Sequence, residues 1–123
     1  MITPSYFPRL QEIRSVLEKV LAPQGFPKDF CVDAAEIVSQ DLGFDIIRGY
    51  KLQKDKEEEA HAWNYDHERR WYVDLTYDQF GDYPPVLVFK SLKRYKLVEN
   101  SFLYLEWDPR HVSEALGVLN GNW

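Results

Sequence analysis

The sequence predicts a single α+β domain over residues 1–123, with N-terminal helices packed on an antiparallel β-sheet and a helix at the C-terminal end. Three observations carry this. Apolar residues recur at helical spacing as far as Leu42. The period then changes to that of strands after Gly43. Finally, Asp108-Pro109 opens another helical stretch, with Asp as N-cap and Pro at the first helical position. A chain of 123 residues fits one domain, and 45% hydrophobic with 15% aromatic residues is enough to build its core.

The first helix is expected from residue 5 or 8 to 21, where Leu10, Ile13, Val16, Leu17, Val20 and Leu21 form one stripe. Ala22-Pro23-Gln24-Gly25 breaks it. A second helix is expected over 30–42, with Asp29 as N-cap and Gly43 as C-terminal stop. Cys31, Ala35, Val38 and Leu42 share a stripe of that helix, so the thiol at its start faces inward. Strands are expected over 45–52, 61–65, 70–77, 86–89 and 102–107. The charged segment 53–60 reads as a hairpin tip and 82–85 as a loop. Lys90, Lys93, Arg94 and Lys96 read as a solvated loop. Val112, Ala115, Leu116 and Leu119 give the last helix its apolar face.

Several functions are excluded or disfavoured. A net charge of -5 argues against general nucleic-acid binding, which needs a basic face. No apolar run approaches the roughly 20 residues of a membrane helix, so no membrane partner is expected. The single cysteine forms no internal disulfide and is at home in a reducing compartment. Met1–Tyr6 lacks the pattern of a signal peptide. A cytoplasmic location is therefore expected, or delivery as an effector by other machinery. Glycines are scattered singly, which offers no phosphate loop, and no close-spaced ligand pair points to zinc. Neither a metal nor a cofactor is expected.

The residues that carry chemistry are Cys31 at a helix start, His61 on one strand and Asp74 on the next. If the hairpin is symmetric about His67-Glu68, Asp66 faces Arg69, Trp63 faces Tyr72 and His61 lies directly opposite Asp74. Cross-strand partners share a face with Cβ atoms about 5 Å apart. The carboxylate then fixes the imidazole and leaves its second nitrogen for the thiol proton. A helix N-terminus and an imidazolium both favour the thiolate, the nucleophilic form. Asp29 partly opposes them. The backbone N–H of Cys31 is a natural oxyanion donor. Gln24, Trp63 and Gln79 are further oxyanion or substrate candidates. Asn64 points away from His61 and reads as structural, while His67 and His111 read as a turn residue and a helix-surface residue.

At Cys31-Val32-Asp33-Ala34-Ala35, His61-Ala62-Trp63-Asn64 and Val73-Asp74-Leu75-Thr76-Tyr77-Asp78-Gln79-Phe80, the chain resembles the transglutaminase-like and papain-like cysteine enzymes of bacteria. The resemblance covers under half the chain. It implies a papain-like or transglutaminase-like core with Cys31 as nucleophile, His61 as base and Asp74 as orienting group. The chain departs from the transglutaminases in having Val32, where they commonly carry tryptophan after the nucleophile. Together these features lead to the expectation of a thiol hydrolase that acts on a carboxamide through a thioester. A protein glutamine deamidase is the first choice, with a peptidase or transglutaminase of the same superfamily next, so a protein or peptide is the expected partner. The alternative from another class is a non-enzymatic binding or immunity module. There Cys31 is core, and Tyr65, Trp71, Tyr72, Tyr83 and Tyr95 form an interface.

Overall fold

A computed structural model describes residues 4–52, 58–92, 95–97 and 107–121. Helix α1 spans Phe7–Leu21 and buries Leu10, Ile13, Leu17 and Leu21 on one stripe. Helix α2 spans Cys31–Leu42 and ends at Gly43, whose φ of 76° is the left-handed cap that glycine adopts without a Cβ penalty. Strands β1 (Asp45–Leu52), β2 (Glu58–Asp66), β3 (Trp71–Asp74), β4 (Leu87–Phe89) and β5 (Tyr95–Leu97) follow, then helix α3 (Pro109–Leu119). Asp108 caps α3 as expected, its side chain accepting the Arg110 N–H.

The five strands form one antiparallel sheet in the order β4-β3-β2-β1-β5. Side-chain alternation divides it into two faces. Val73, Leu75 and Val86 join Leu10, Ile13, Leu17, Leu21, Ile37, Val38, Val112 and Ala115 in the core beneath the helices. Trp63, Tyr77 and Tyr95 gather on the other face with Ile47, Tyr72, Phe80, Leu87 and Phe89. In a flat sheet, β4 and β5 would lie roughly 19 Å apart, four strand spacings. Yet the rings of Phe89 on β4 and Tyr95 on β5 stack with centroids 5.0 Å apart. The sheet therefore curls around its aromatic face far enough for side chains from its two edge strands to stack.

Four expectations need correction. Asp29 is not the N-cap of α2. It takes φ 69°, and Phe30 occupies the cap position without a side-chain hydrogen bond. The segment 53–60 is not wholly a hairpin tip, because β2 begins at Glu58, paired with Leu52; residues 53–57 lie outside the described residues. Strand β3 stops at Asp74 rather than running to 77. The Asp74 carboxylate accepts the Thr76 N–H at 2.9 Å, which removes that amide from the ladder, and a 3-10 turn, Tyr77–Phe80, follows. The segment read as a basic loop contains β5, which pairs with β1 over Tyr95–Leu97. Lys93, Arg94 and most of the strand expected at 102–107 lie outside the described residues, and Trp107 itself is not in a strand.

Candidate active site

Helix α2 lies along β2, and the contacts show at what level. Asn64 on β2 donates through Nδ2 to the carbonyl of Ala35 at 3.0 Å and to that of Asp45 at 3.3 Å. Asn64 is thus structural, as expected, and pins the second turn of the helix to the strand. One helical turn back, Cys31 packs with Val32, Ala35 and Ala62. One turn of helix and two residues of strand both advance roughly 6 Å, so the clamp at Asn64 sets Cys31 level with the His61-Ala62 pair.

His61 is fully buried, and its Nε2 donates to Oδ2 of Asp74 at 2.7 Å. The observed register differs from the expected one. Asn64 pairs with Val73, Tyr65 with Tyr72 and Asp66 with Trp71, which places Trp63 in line with Asp74 and His61 two residues away on the diagonal. A shift of two keeps both side chains on one face, so the His–Asp pair survives. The cause is the turn. Asp66 accepts the N–H groups of Glu68 and Arg69, and Arg70 adopts φ 61°, giving a four-residue loop in place of a two-residue one.

The Asp74 carboxylate is fully engaged. Oδ2 also accepts the Tyr95 hydroxyl at 2.9 Å, while Oδ1 accepts the N–H of Thr76 at 2.9 Å and its hydroxyl at 3.5 Å. Sequence reasoning missed both partners. Thr76 was findable, since an aspartate two residues before a threonine is a common Asx-turn pattern. Tyr95 had no local signal.

With Nε2 committed to Asp74, Nδ1 is the nitrogen left for the Cys31 thiol, which is a hydrogen-bond partner of His61. Burial opposes the imidazolium, but the Asp74 carboxylate and the thiol outweigh it, and the His61 pKa is pushed up to about 10. The ring sits in an aromatic surround, with Phe80 edge-on at 5.0 Å and Trp63 and Tyr95 stacked at 6.0 and 6.3 Å. The first N–H groups of α2 have no acceptor within the helix, so they can receive a developing oxyanion beside Cys31.

Among the remaining candidates, Gln79 comes to the site and Gln24 does not. Gln79 Nε2 lies 3.5 Å from both His61 Nδ1 and Thr76 Oγ1. Its 3-10 turn is anchored from beneath: Arg14 on α1 makes a bidentate pair with Asp78 at 2.7 Å and donates to the carbonyl of Leu75. Gln24 is exposed in a turn and makes no hydrogen bond to the site. Trp63 is buried in the aromatic cluster beside His61, and among the described residues its Nε1 has no hydrogen-bond partner.

His111 is not a simple helix-surface residue. Its Nδ1 lies 3.1 Å from Oδ2 of Asp33, a buried carboxylate in the first turn of α2 that also accepts the Asp108 N–H. Burial raises the pKa of Asp33, and these hydrogen bonds oppose that rise. The pair ties α3 to the turn that carries Cys31. Tyr95 is likewise not an interface residue, being 5% exposed.

Among the described residues, no group of three or more His, Cys, Asp or Glu side chains is placed to hold a metal ion. No described helix is long and apolar enough to cross a membrane. Clefts of about 480, 540 and 330 Å3 are lined by residues such as Trp107, Val16 and Pro85, and none of them includes Cys31, His61 or Asp74. No protein-family model, curated protein or solved structure matches the chain.

Proposed function

We propose that this chain is a thiol hydrolase of papain-like or transglutaminase-like type, acting on a carboxamide through Cys31, His61 and Asp74. The observation that carries the reading is a buried imidazole held at Nε2 by the Asp74 carboxylate at 2.7 Å, with the Gln79 amide 3.5 Å from Nδ1 and the Cys31 thiol as a further partner that favours the protonated ring. A structural cysteine has no need of that arrangement. Burying a histidine and an aspartate together beside it costs desolvation energy, and a hydrophobic core would avoid that cost.

In the proposed reaction, the Cys31 thiolate attacks the amide carbon. A C–S bond forms, and the carbonyl electron pair moves to oxygen, where the first N–H groups of α2 receive it. His61 Nδ1 gives its proton to the departing nitrogen as the C–N bond breaks, which leaves a thioester. Water then attacks, His61 takes a proton from it, and the C–S bond breaks to release a carboxylic acid. The preferred substrate is a glutamine side chain in a protein. Cys31 is 8% exposed, and a primary carboxamide on a flexible stem reaches so recessed a group more readily than an extended main-chain amide does.

The test is the rate of Cys31 alkylation by iodoacetamide between pH 5 and 10, read by intact mass in wild type and His61→Ala. Fast labelling below about pH 7 that is lost in the variant supports the reading. Slow labelling with an ordinary thiol profile, unchanged in the variant, defeats it. Ammonia release from glutamine-rich protein substrates then separates deamidation from peptide cleavage.

A further inference from the structure

We infer that Tyr95 is a positioning residue of this site, holding the Asp74 carboxylate in the orientation in which it receives His61. The inference rests on the reading of Cys31 as nucleophile. Asp74 is the last residue of β3, paired with Leu87 of β4, and its carboxylate is oriented by side-chain and turn donors. Its Oδ2 receives two donors, His61 Nε2 at 2.7 Å and the Tyr95 hydroxyl at 2.9 Å, while Thr76 takes Oδ1. An ionised carboxylate offers about four acceptor positions, so these donors leave it little freedom to rotate. Tyr95 arrives from the far edge of the sheet, and its own ring is held by Phe89 at 5.0 Å and Trp63 at 4.4 Å. The curl of the sheet thereby delivers a hydroxyl to the same oxygen that binds the imidazole.

A donor on that oxygen draws off negative charge and makes it a weaker acceptor for the Nε2 proton. Removing the hydroxyl strengthens the hold of Asp74 on the imidazolium, so His61 keeps its proton to higher pH. Making the hydroxyl more acidic does the reverse.

The experiment compares wild type, Tyr95→Phe and a chain with 3-fluorotyrosine placed at position 95. Each is probed by the pH profile of Cys31 alkylation with iodoacetamide and by the proton resonance of His61 Nε2–H. The alkaline inflection of the profile is expected to move up by about half a unit or more in Tyr95→Phe, a change of about threefold in proton affinity. It should move down with fluorotyrosine, a nearly isosteric change that keeps the fold even if Tyr95→Phe does not. The Nε2–H resonance should shift in opposite directions in the two proteins. An inflection and a resonance that coincide with wild type in the fluorotyrosine protein would make Tyr95 a packing residue and overturn the inference. His61→Ala separates the two levels. If the imidazole-dependent limb persists in that variant, the enzymatic reading has failed. If it vanishes while the Tyr95 substitutions shift nothing, only the role of Tyr95 has failed.

Discussion

His61 reaches Asp74 along the diagonal of a β-hairpin, with Trp63 rather than His61 occupying the place in line with the carboxylate. Diagonal neighbours stand farther apart than direct ones, by about 2–3 Å at Cα. The 2.7 Å hydrogen bond therefore depends on the rotamer of Asp74, and that is held by Thr76 and Tyr95. Asp74→Asn should keep the Thr76 contact but lose the charge that stabilises the imidazolium. Turnover is expected to fall on the order of 10²–10³, less than the loss in Cys31→Ala, because a residual oriented ring remains. Steady-state kinetics on a glutamine substrate checks this, and equal activity in Asp74→Asn would make the residue structural.

The raised pKa of His61 gives a stability prediction with a definite sign. Burial resists the charged ring, yet the Asp74 carboxylate prevails and the folded value rises from 6.5 to about 10. The folded state thus binds a proton that the unfolded chain has released in this window, so unfolding free energy falls as pH rises through it. The contribution is fully present below about pH 6.5 and lost by about pH 10. His61→Gln should therefore be most destabilised, relative to wild type, at pH 6, and the gap should narrow toward pH 10. Denaturant melts at four pH values measure this directly.

A similar logic applies to Asp33 and His111, which join α2 to α3 at 3.1 Å. Removing the imidazole leaves a buried carboxylate with the Asp108 N–H as its remaining partner from another element. His111→Ala is expected to cost about 2 kcal/mol. Adding Asp33→Asn should recover part of that loss, because a neutral amide costs less to bury than an unpaired charge. A double-mutant cycle in urea checks the sign of the coupling.

Much of this architecture was legible in the sequence because its signals are local. The periodicities of α1, α2 and α3 and the glycine stop at 43 placed the helices, and alternation placed β1 and β2. Cys31, His61 and Asp74 could be joined because strand parity survives a register error of two. The unread features depend on long-range contacts. Tyr95–Leu97 is too short to show a period, and its long-range pairing with β1 and the burial of Tyr95 in the aromatic cluster leave no local signal. The Asp33–His111 pair links residues 78 apart in sequence. Asp29 failed as a cap because the backbone reverses there, at φ 69°, one residue before the helix can use its side chain.

The anchor beneath the site is also open to test. Arg14 is 7% exposed and directs two nitrogens at Asp78. Asp78→Ala removes that carboxylate and leaves a buried guanidinium with Glu18 and the carbonyls of Leu75 and Pro85. A loss of about 3 kcal/mol is expected. The 3-10 turn that carries Gln79 should loosen with it, visible as faster amide hydrogen exchange over residues 77–80.

Gln79 and Gln24 give the sharpest contrast between sequence candidates. When His61 is protonated on both nitrogens, Nδ1 is a donor and cannot accept from the Gln79 amide 3.5 Å away. One Gln79 N–H, the one not directed at Thr76 Oγ1, is then available to an incoming carbonyl oxygen. Gln79→Ala should lower kcat by about 10², the scale of losing one oxyanion donor, with little change in KM. Gln24 is exposed and has no hydrogen bond to the site, so Gln24→Ala should stay within about twofold of wild type, the range of a surface change. If Gln24→Ala were instead the inactive variant, the oxyanion donor would have to come from the turn before α2, and the turn at 77–80 would be a wall of the site only.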